Sequence, residues 1–316
     1  MSGQRKTDSA SPPDVAPSEF VLSRSVIGLA LTLPALLTIG LTMLYPMVWT
    51  LWLSLNSKAS AMRGIPDFVW FENYERILSN SAFFGAFGQT VGIIAVSFLV
   101  EAVLALIIAL ALFRSLAGTR IFQAIVALPL MVAPVVGALA WRFVFADGYG
   151  LIDTVAQHFG GEGPLWFANV WLARLTIVAA NVWLALPFDV LVLLAGLTSL
   201  PAEPLEAARV DGATPAQTLF RIILPLLKPV IAIILVIRMA DAFRIFDVVY
   251  VLTAGGPANK TDVLSTYIYR QMFSAFDFPG GAAASILLVV ITSLASLLVV
   301  LAMRDRWRME ARHDER

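Results

Sequence analysis

The chain has 316 residues, of which 59% are hydrophobic and only 14% charged, and its mean hydropathy is +0.82. Soluble domains carry roughly 25% charged residues, so an ordinary soluble enzyme is excluded. The 22 basic and 22 acidic residues balance, which leaves no basic surplus for nucleic acid. The absence of cysteine rules out disulfides, thiolate zinc sites and Cys nucleophiles, and two histidines, His158 and His313, argue against a His-based metal site.

Residues 1–24 are rich in Ser, Pro and Asp and read as a disordered tail. Six apolar runs follow, each near the roughly 20 residues that a membrane-spanning helix needs. Ser25 to Ser57 is charge-free and too long for the apolar part of a signal peptide, about 7–15 residues, so it reads as a retained helix. Gly88 to Phe113 carries Glu101. Ile121 to Phe145 carries Arg142 near its end, and Leu175 to Leu200 carries Asp189. Pro229 to Leu252 holds Arg238, Asp241, Arg244 and Asp247, and Gly280 to Met303 holds no charge. The pattern predicts an all-α membrane protein with six transmembrane helices over 25–303 and a basic tail at 304–316.

Lys and Arg set the orientation. With the N-terminus inside, thirteen of the 22 fall in inner segments, six in outer segments and three within spans. Both termini are therefore expected in the cytoplasm. The outer segments hold Trp70, Phe71, Tyr74, Trp166 and Trp171, residues suited to an interfacial belt.

Between the fourth and fifth spans runs Leu200-Pro-Ala-Glu-Pro-Leu-Glu-Ala-Ala-Arg-Val-Asp-Gly-Ala-Thr-Pro-Ala-Gln-Thr-Leu-Phe-Arg-Ile-Ile-Leu-Pro225. Pro201 and Pro204 suit a first helical turn, with Glu203 and Glu206 near its positive end. Asp211-Gly212 breaks the helix, since glycine tolerates positive φ. Thr214, Pro215 and Gln217 then form the start of a second helix with a capping box. By itself this is two short helices and a turn over 201–225, equally consistent with a plain connector.

The residues Glu206-Ala207-Ala208, Asp211-Gly212-Ala213, Phe220, Ile222 and Leu224-Pro225 resemble the EAA loop of binding-protein-dependent ABC importer permeases. The stretch from Asp241 to Pro257, with Thr261, Asp262 and Thr266 to Arg270, is similar to their carbohydrate-uptake branch, which includes maltose, trehalose and glycerol-phosphate systems. The resemblance covers about residues 25–303. It implies a type I importer in the bacterial inner membrane. Its parts are two permease subunits, two cytoplasmic ATPase subunits that bind ATP and Mg, and an external solute-binding protein. It assigns Glu206, Ala207, Ala208, Asp211 and Gly212 to docking of the ATPase. This chain carries no cofactor by that reading. Gly255 to Thr261 is not a P-loop, because no glycine precedes Lys260.

Each charge at mid-membrane costs about 2.5–3.5 kcal/mol on insertion scales. Arg238, Asp241, Arg244 and Asp247 recur every three residues with alternating sign, so on a continuous helix neighbours pair. Buried ion pairs account for them structurally. The functional alternative is a translocation site, which the resemblance supports, with Asp241, Arg244, Phe243, Asp247 and Tyr250 meeting a sugar. Arg238 reads as structural, and Glu101 and Asp189 as lone acids that form helix–helix hydrogen bonds or line the path. Two rival readings remain. One is an importer for an anionic solute, such as a phosphorylated or sulfonated polyol, held by Arg238 and Arg244. The other is an ion-coupled transporter using Asp241 and Asp247.

Overall fold

The computed structural model describes residues 24–59, 64, 67–113 and 118–314. The expected N-terminal tail therefore lies outside the described residues but for Arg24, as do Arg63 and Arg114. The contact pattern divides the chain at Trp49–Thr50 into two units.

The division falls within α2 (Tyr45–Ser54), into which α1 (Arg24–Ile39) runs through a π-turn at Gly40–Leu44. Pro34 removes one backbone donor, and the hydroxyls of Thr38 and Thr42 donate to the carbonyls of Pro34 and Thr38 at 2.8 and 2.7 Å. Leu31, Leu41 and Met43 are exposed, as a lipid-facing helix requires.

The second unit is built on α4 (Ser81–Phe113) and α8 (Val170–Thr198), which pack along their length. Ala105, Ala109 and Ala180 are fully buried and let the helices approach closely. At one end of α4 lies the short helix α3 (Glu72–Leu78), tied to α15 (Phe278–Asp314) by an Arg76–Asp277 ion pair at 2.5 Å. The Asp277 carboxyl is buried, which alone raises its pKa. The Arg76 hydrogen bond and charge, with the Gly280 amide, outweigh burial and hold it below the ordinary range.

The third expected span is not one helix. α5 (Thr119–Ala127) and a 3₁₀ turn (Leu128–Met131) meet α6 (Pro134–Val144) at a 102° bend. Val132 and Ala133 are extended between them. Proline pushes its predecessor out of the helical region, so Pro134 ends the helix at the break. A small helix, α7 (Leu151–His158), leads to α8.

After α8 come α9 (Ala202–Val210), α10 (Pro215–Thr218), a π-turn and the single turn α11 (Leu224–Leu226). At Leu227 the chain bends by 64° into α12 (Lys228–Ala242). α13 (Asp247–Leu252) follows a non-helical break, and α14 (Leu264–Tyr269) precedes α15. The fifth expected span, Pro229 to Leu252, is thus also interrupted. Among the described residues four helices are long and apolar enough to cross a membrane, and up to six if each bent pair is counted as one span. In α15 the helical backbone continues to Asp314, so the region expected as a basic tail is helical through that residue.

Candidate functional site

The break between α12 and α13 makes the site. The amide of Arg244 donates to the Asp241 carbonyl at 2.9 Å and that of Phe246 to Arg244 at 2.7 Å, closing turns where a helix would have continued. Arg238 and Asp241 therefore stay on α12, Arg244 falls in the break and Asp247 on α13, so the four charges no longer share one helix. Asp241 and Arg244 still approach, at 3.7 Å, with 58% and 80% of their side chains exposed. Asp247 opens α13, whose free N–H groups favour an acid.

Arg238 pairs elsewhere. Its Nη2 donates to Glu101 Oε2 on α4 at 2.6 Å, and its Nε lies 3.7 Å from Asp189 Oδ1 on α8. Asn181 Nδ2 donates to Glu101 Oε1 at 3.3 Å. Glu101 thus makes the helix–helix hydrogen bonds that the sequence reading offered for it, and Asp189 reaches the same arginine. They are 1% and 4% exposed and clamp one guanidinium. Desolvated charges need such partners.

A cavity of about 290 Å³ opens beside this triad. Arg238, Asp241, Arg244 and Asp247 all line it, with Asn181 and the rings of Phe98 and Phe246. Three of the five expected substrate residues are thus on the wall: Asp241, Arg244 and Asp247. Phe243 is not. It is 6% exposed and buried away from the cavity, because the break turns it inward. The ring on the wall is Phe246, whose spacing of four from Tyr250 was the available signal. Tyr250 is half-exposed and stacks on Phe246 at 5.1 Å and 15°. Tyr269 continues the aromatic group, 5.0 Å from Tyr250. Arg238 and Asn181 are wall residues that sequence reasoning set aside or passed over.

The loop from α13 to α14 is braced by polar contacts. Arg270 reaches Asn259 and Asp262, and Thr266 donates to Asp262 at 2.5 Å. Burial raises the Asp262 carboxyl above its ordinary range, against the opposing pull of Thr266 and Arg270. Thr261 in the glycine-containing stretch is buried and donates to the Gly256 carbonyl.

At the other loop, α9 ends at Asp211 and Gly212 takes φ +70°. The Ala213 amide donates back to the Ala208 carbonyl at 2.9 Å. Thr214 Oγ1 accepts from the Gln217 amide at 3.3 Å while Gln217 Oε1 accepts from the Thr214 amide at 2.8 Å. Glu206, Ala207, Asp211 and Gly212 are exposed. Ala208 is 4% exposed and packs on the inner face of α9, unlike Glu206, Ala207, Asp211 and Gly212. The loop also presents two large apolar side chains, Val210 at 87% and Phe220 at 67% exposure.

A family described as binding-protein-dependent transport system inner membrane component matches residues 101–307. The trehalose/maltose transport system permease protein MalF of Thermococcus litoralis is 34% identical over 293 residues, covering 93% of this chain and 98% of that one. The sn-glycerol-3-phosphate transport system permease protein UgpA of Salmonella choleraesuis is 33% identical over 272 residues, 85% of this chain and 90% of that one. In the crystal structure of a bacterial alginate ABC transporter with an alginate pentasaccharide-bound periplasmic protein, one chain aligns with a TM-score of 0.76. Its identity is 24%, over 87% of this chain and 93% of that one.

Proposed function

The chain belongs to the family of binding-protein-dependent transport system inner membrane components, and we propose that it forms half of the membrane pathway of an ATP-driven sugar importer. The cavity carries this reading. A ring face at Phe246 suits the apolar face of a pyranose. Asn181, Arg238, Asp241 and Asp247 supply donors and acceptors for its hydroxyls. The similarity to a trehalose/maltose permease supports a sugar as cargo.

In this reading an external solute-binding protein delivers the sugar to the outer face. A second permease subunit completes the pathway. Two cytoplasmic ATPase subunits hold ATP and Mg and dock on the 201–225 loop through Glu206, Ala207, Val210, Asp211 and Phe220, with Gly212 making the turn. Closure of the ATPases around ATP shifts that loop and turns the cavity from inward- to outward-facing. This reading places both termini in the cytoplasm, which the Lys and Arg distribution supports.

The test is uptake of radiolabelled trehalose and maltose by proteoliposomes that hold the assembled transporter and its binding protein. Phe246→Ala and Asp241→Ala should each lower uptake about tenfold or more, the loss of one good contact to the sugar, with the ATPase still bound. Wild-type uptake in both variants would remove the cavity from the pathway. Uptake that needs no ATP would favour an ion-coupled transporter.

A further inference from the structure

Glu101 is almost wholly buried and is not on the cavity wall, yet it holds two side chains that are. Its Oε2 accepts from Arg238 and its Oε1 from Asn181, at 2.6 and 3.3 Å. Asp189 closes on Arg238 from the other side, 3.7 Å from Nε. Phe98 lies under the guanidinium, its ring centre 5.7 Å from the central carbon. Three helices, α4, α8 and α12, therefore fix one arginine at the wall of the cavity.

On the wall itself Arg238 and Arg244 are matched by Asp241 and Asp247, and two further carboxyls, Glu101 and Asp189, lie behind the wall against Arg238. An arginine in a wet cleft is a ready receptor for phosphate or carboxylate. This one already meets two carboxylates, and charges interact strongly where water is scarce. An anion entering here finds Arg238 already engaged by two carboxyls and Asp241 and Asp247 on the same wall. A hydroxyl accepts from Arg238 or Asn181 and donates to Asp241 or Asp247.

Resting on the reading of this cavity as the sugar site, we infer that Glu101 and Asp189 are positioning residues that turn Arg238 into a fixed hydroxyl donor. The site thereby takes neutral sugars and rejects phosphorylated or carboxylated ones. Among relatives that include both a trehalose/maltose and a glycerol-3-phosphate permease, this places the chain with the neutral cargo.

The experiment measures direct binding to the assembled permease–ATPase complex in detergent, without the binding protein, so that delivery does not mask the site. Trehalose and trehalose 6-phosphate are the probes, read by saturation-transfer NMR and by competition. Wild type should bind trehalose and discriminate against the phosphate. Glu101→Gln should weaken trehalose binding about tenfold, as one charge-assisted contact is lost. Glu101→Gln with Asp189→Asn should release Arg238 and raise affinity for the phosphate about tenfold or more. If that double variant does not co-purify with the ATPase, Asp189→Asn alone carries the same test with the Glu101 contact intact. A clamp that is merely structural would lower the melting temperature and leave the trehalose-to-phosphate ratio unchanged, which overturns the inference. Equal binding of both probes by wild type overturns it as well, and leaves the sugar reading standing. Binding of neither probe by wild type, with the complex intact, refutes the sugar reading itself.

Discussion

Gly212 offers the sharpest test of the cytoplasmic loop. Its φ is +70°, and a Cβ built there meets no atom within 4 Å. A side chain at this position therefore suffers no clash, and the whole cost is conformational. For an ordinary L-residue in the left-handed region that cost is roughly 1–2 kcal/mol, and more for a β-branched one. Asparagine visits the same region readily. Gly212→Val should thus disturb the turn between α9 and α10, while Gly212→Asn should preserve it. A shift of about 1–2 kcal/mol changes the population of the correct turn by a factor of roughly 5–30. The assay is ATPase activity stimulated by the loaded binding protein, together with co-purification of the ATPase. Valine should lower both by about that factor, with membrane insertion intact, and asparagine should stay near wild type. Equal activity in the two variants would show that the turn does not transmit coupling, and loss in both would show that the position is read by contact and not by backbone angle.

The Arg238 clamp predicts a large asymmetry. Arg238→Leu strands Glu101 and Asp189 and should destabilise the protein by about 3–5 kcal/mol, whereas Arg244→Ala breaks an exposed pair worth about 0–1 kcal/mol; detergent melting curves decide, and equal losses would refute the clamp. The lowered pKa of Asp277 gives a pH signature. Its bond to Arg76 contributes stability above the unfolded value of about 3.9 and loses it as pH falls through the still lower folded value, so wild type should outlast Asp277→Asn at neutral pH and converge with it below about pH 4. Orientation is open to labelling because the chain has no native cysteine. In intact cells Glu162→Cys should react with an impermeant thiol reagent and Ala216→Cys should react only after permeabilisation; the reverse pattern would invert the topology.

What was legible in the sequence was local. Thr214, Pro215 and Gln217 state a helix start through contacts three residues apart, and the structure has that cap. Asp211-Gly212 states a turn for the same reason. The break at Val132–Ala133 was also written locally, in Pro134, but a hydropathy count over Ile121 to Phe145 averages across it. Ala207 and Ala208 are indistinguishable by type. Which of them faces outward depends on what α9 packs against, and that is not a local property.

The four charges of the fifth span show why the remainder was hidden. Spacing by three is informative only if the helix is continuous. Here it ends at Ala242, so the register that would have carried the pattern on from Asp241 through Arg244 to Asp247 is lost, and the ring on the cavity wall is Phe246. Arg238 then pairs with Glu101, 137 residues away in the chain, because in a low-dielectric interior an unpaired charge is far costlier than the closure of a distant contact. A list of intramembrane charges records which residues need partners. Only the packing of α4 against α8, made possible by Ala105, Ala109 and Ala180, brings Glu101 and Asp189 within reach of one arginine. The polar wall of the cavity is therefore a consequence of small apolar residues elsewhere. Enlarging Ala105 or Ala180 should consequently loosen the Arg238 clamp and alter discrimination between trehalose and its phosphate, although neither alanine lines the polar cavity.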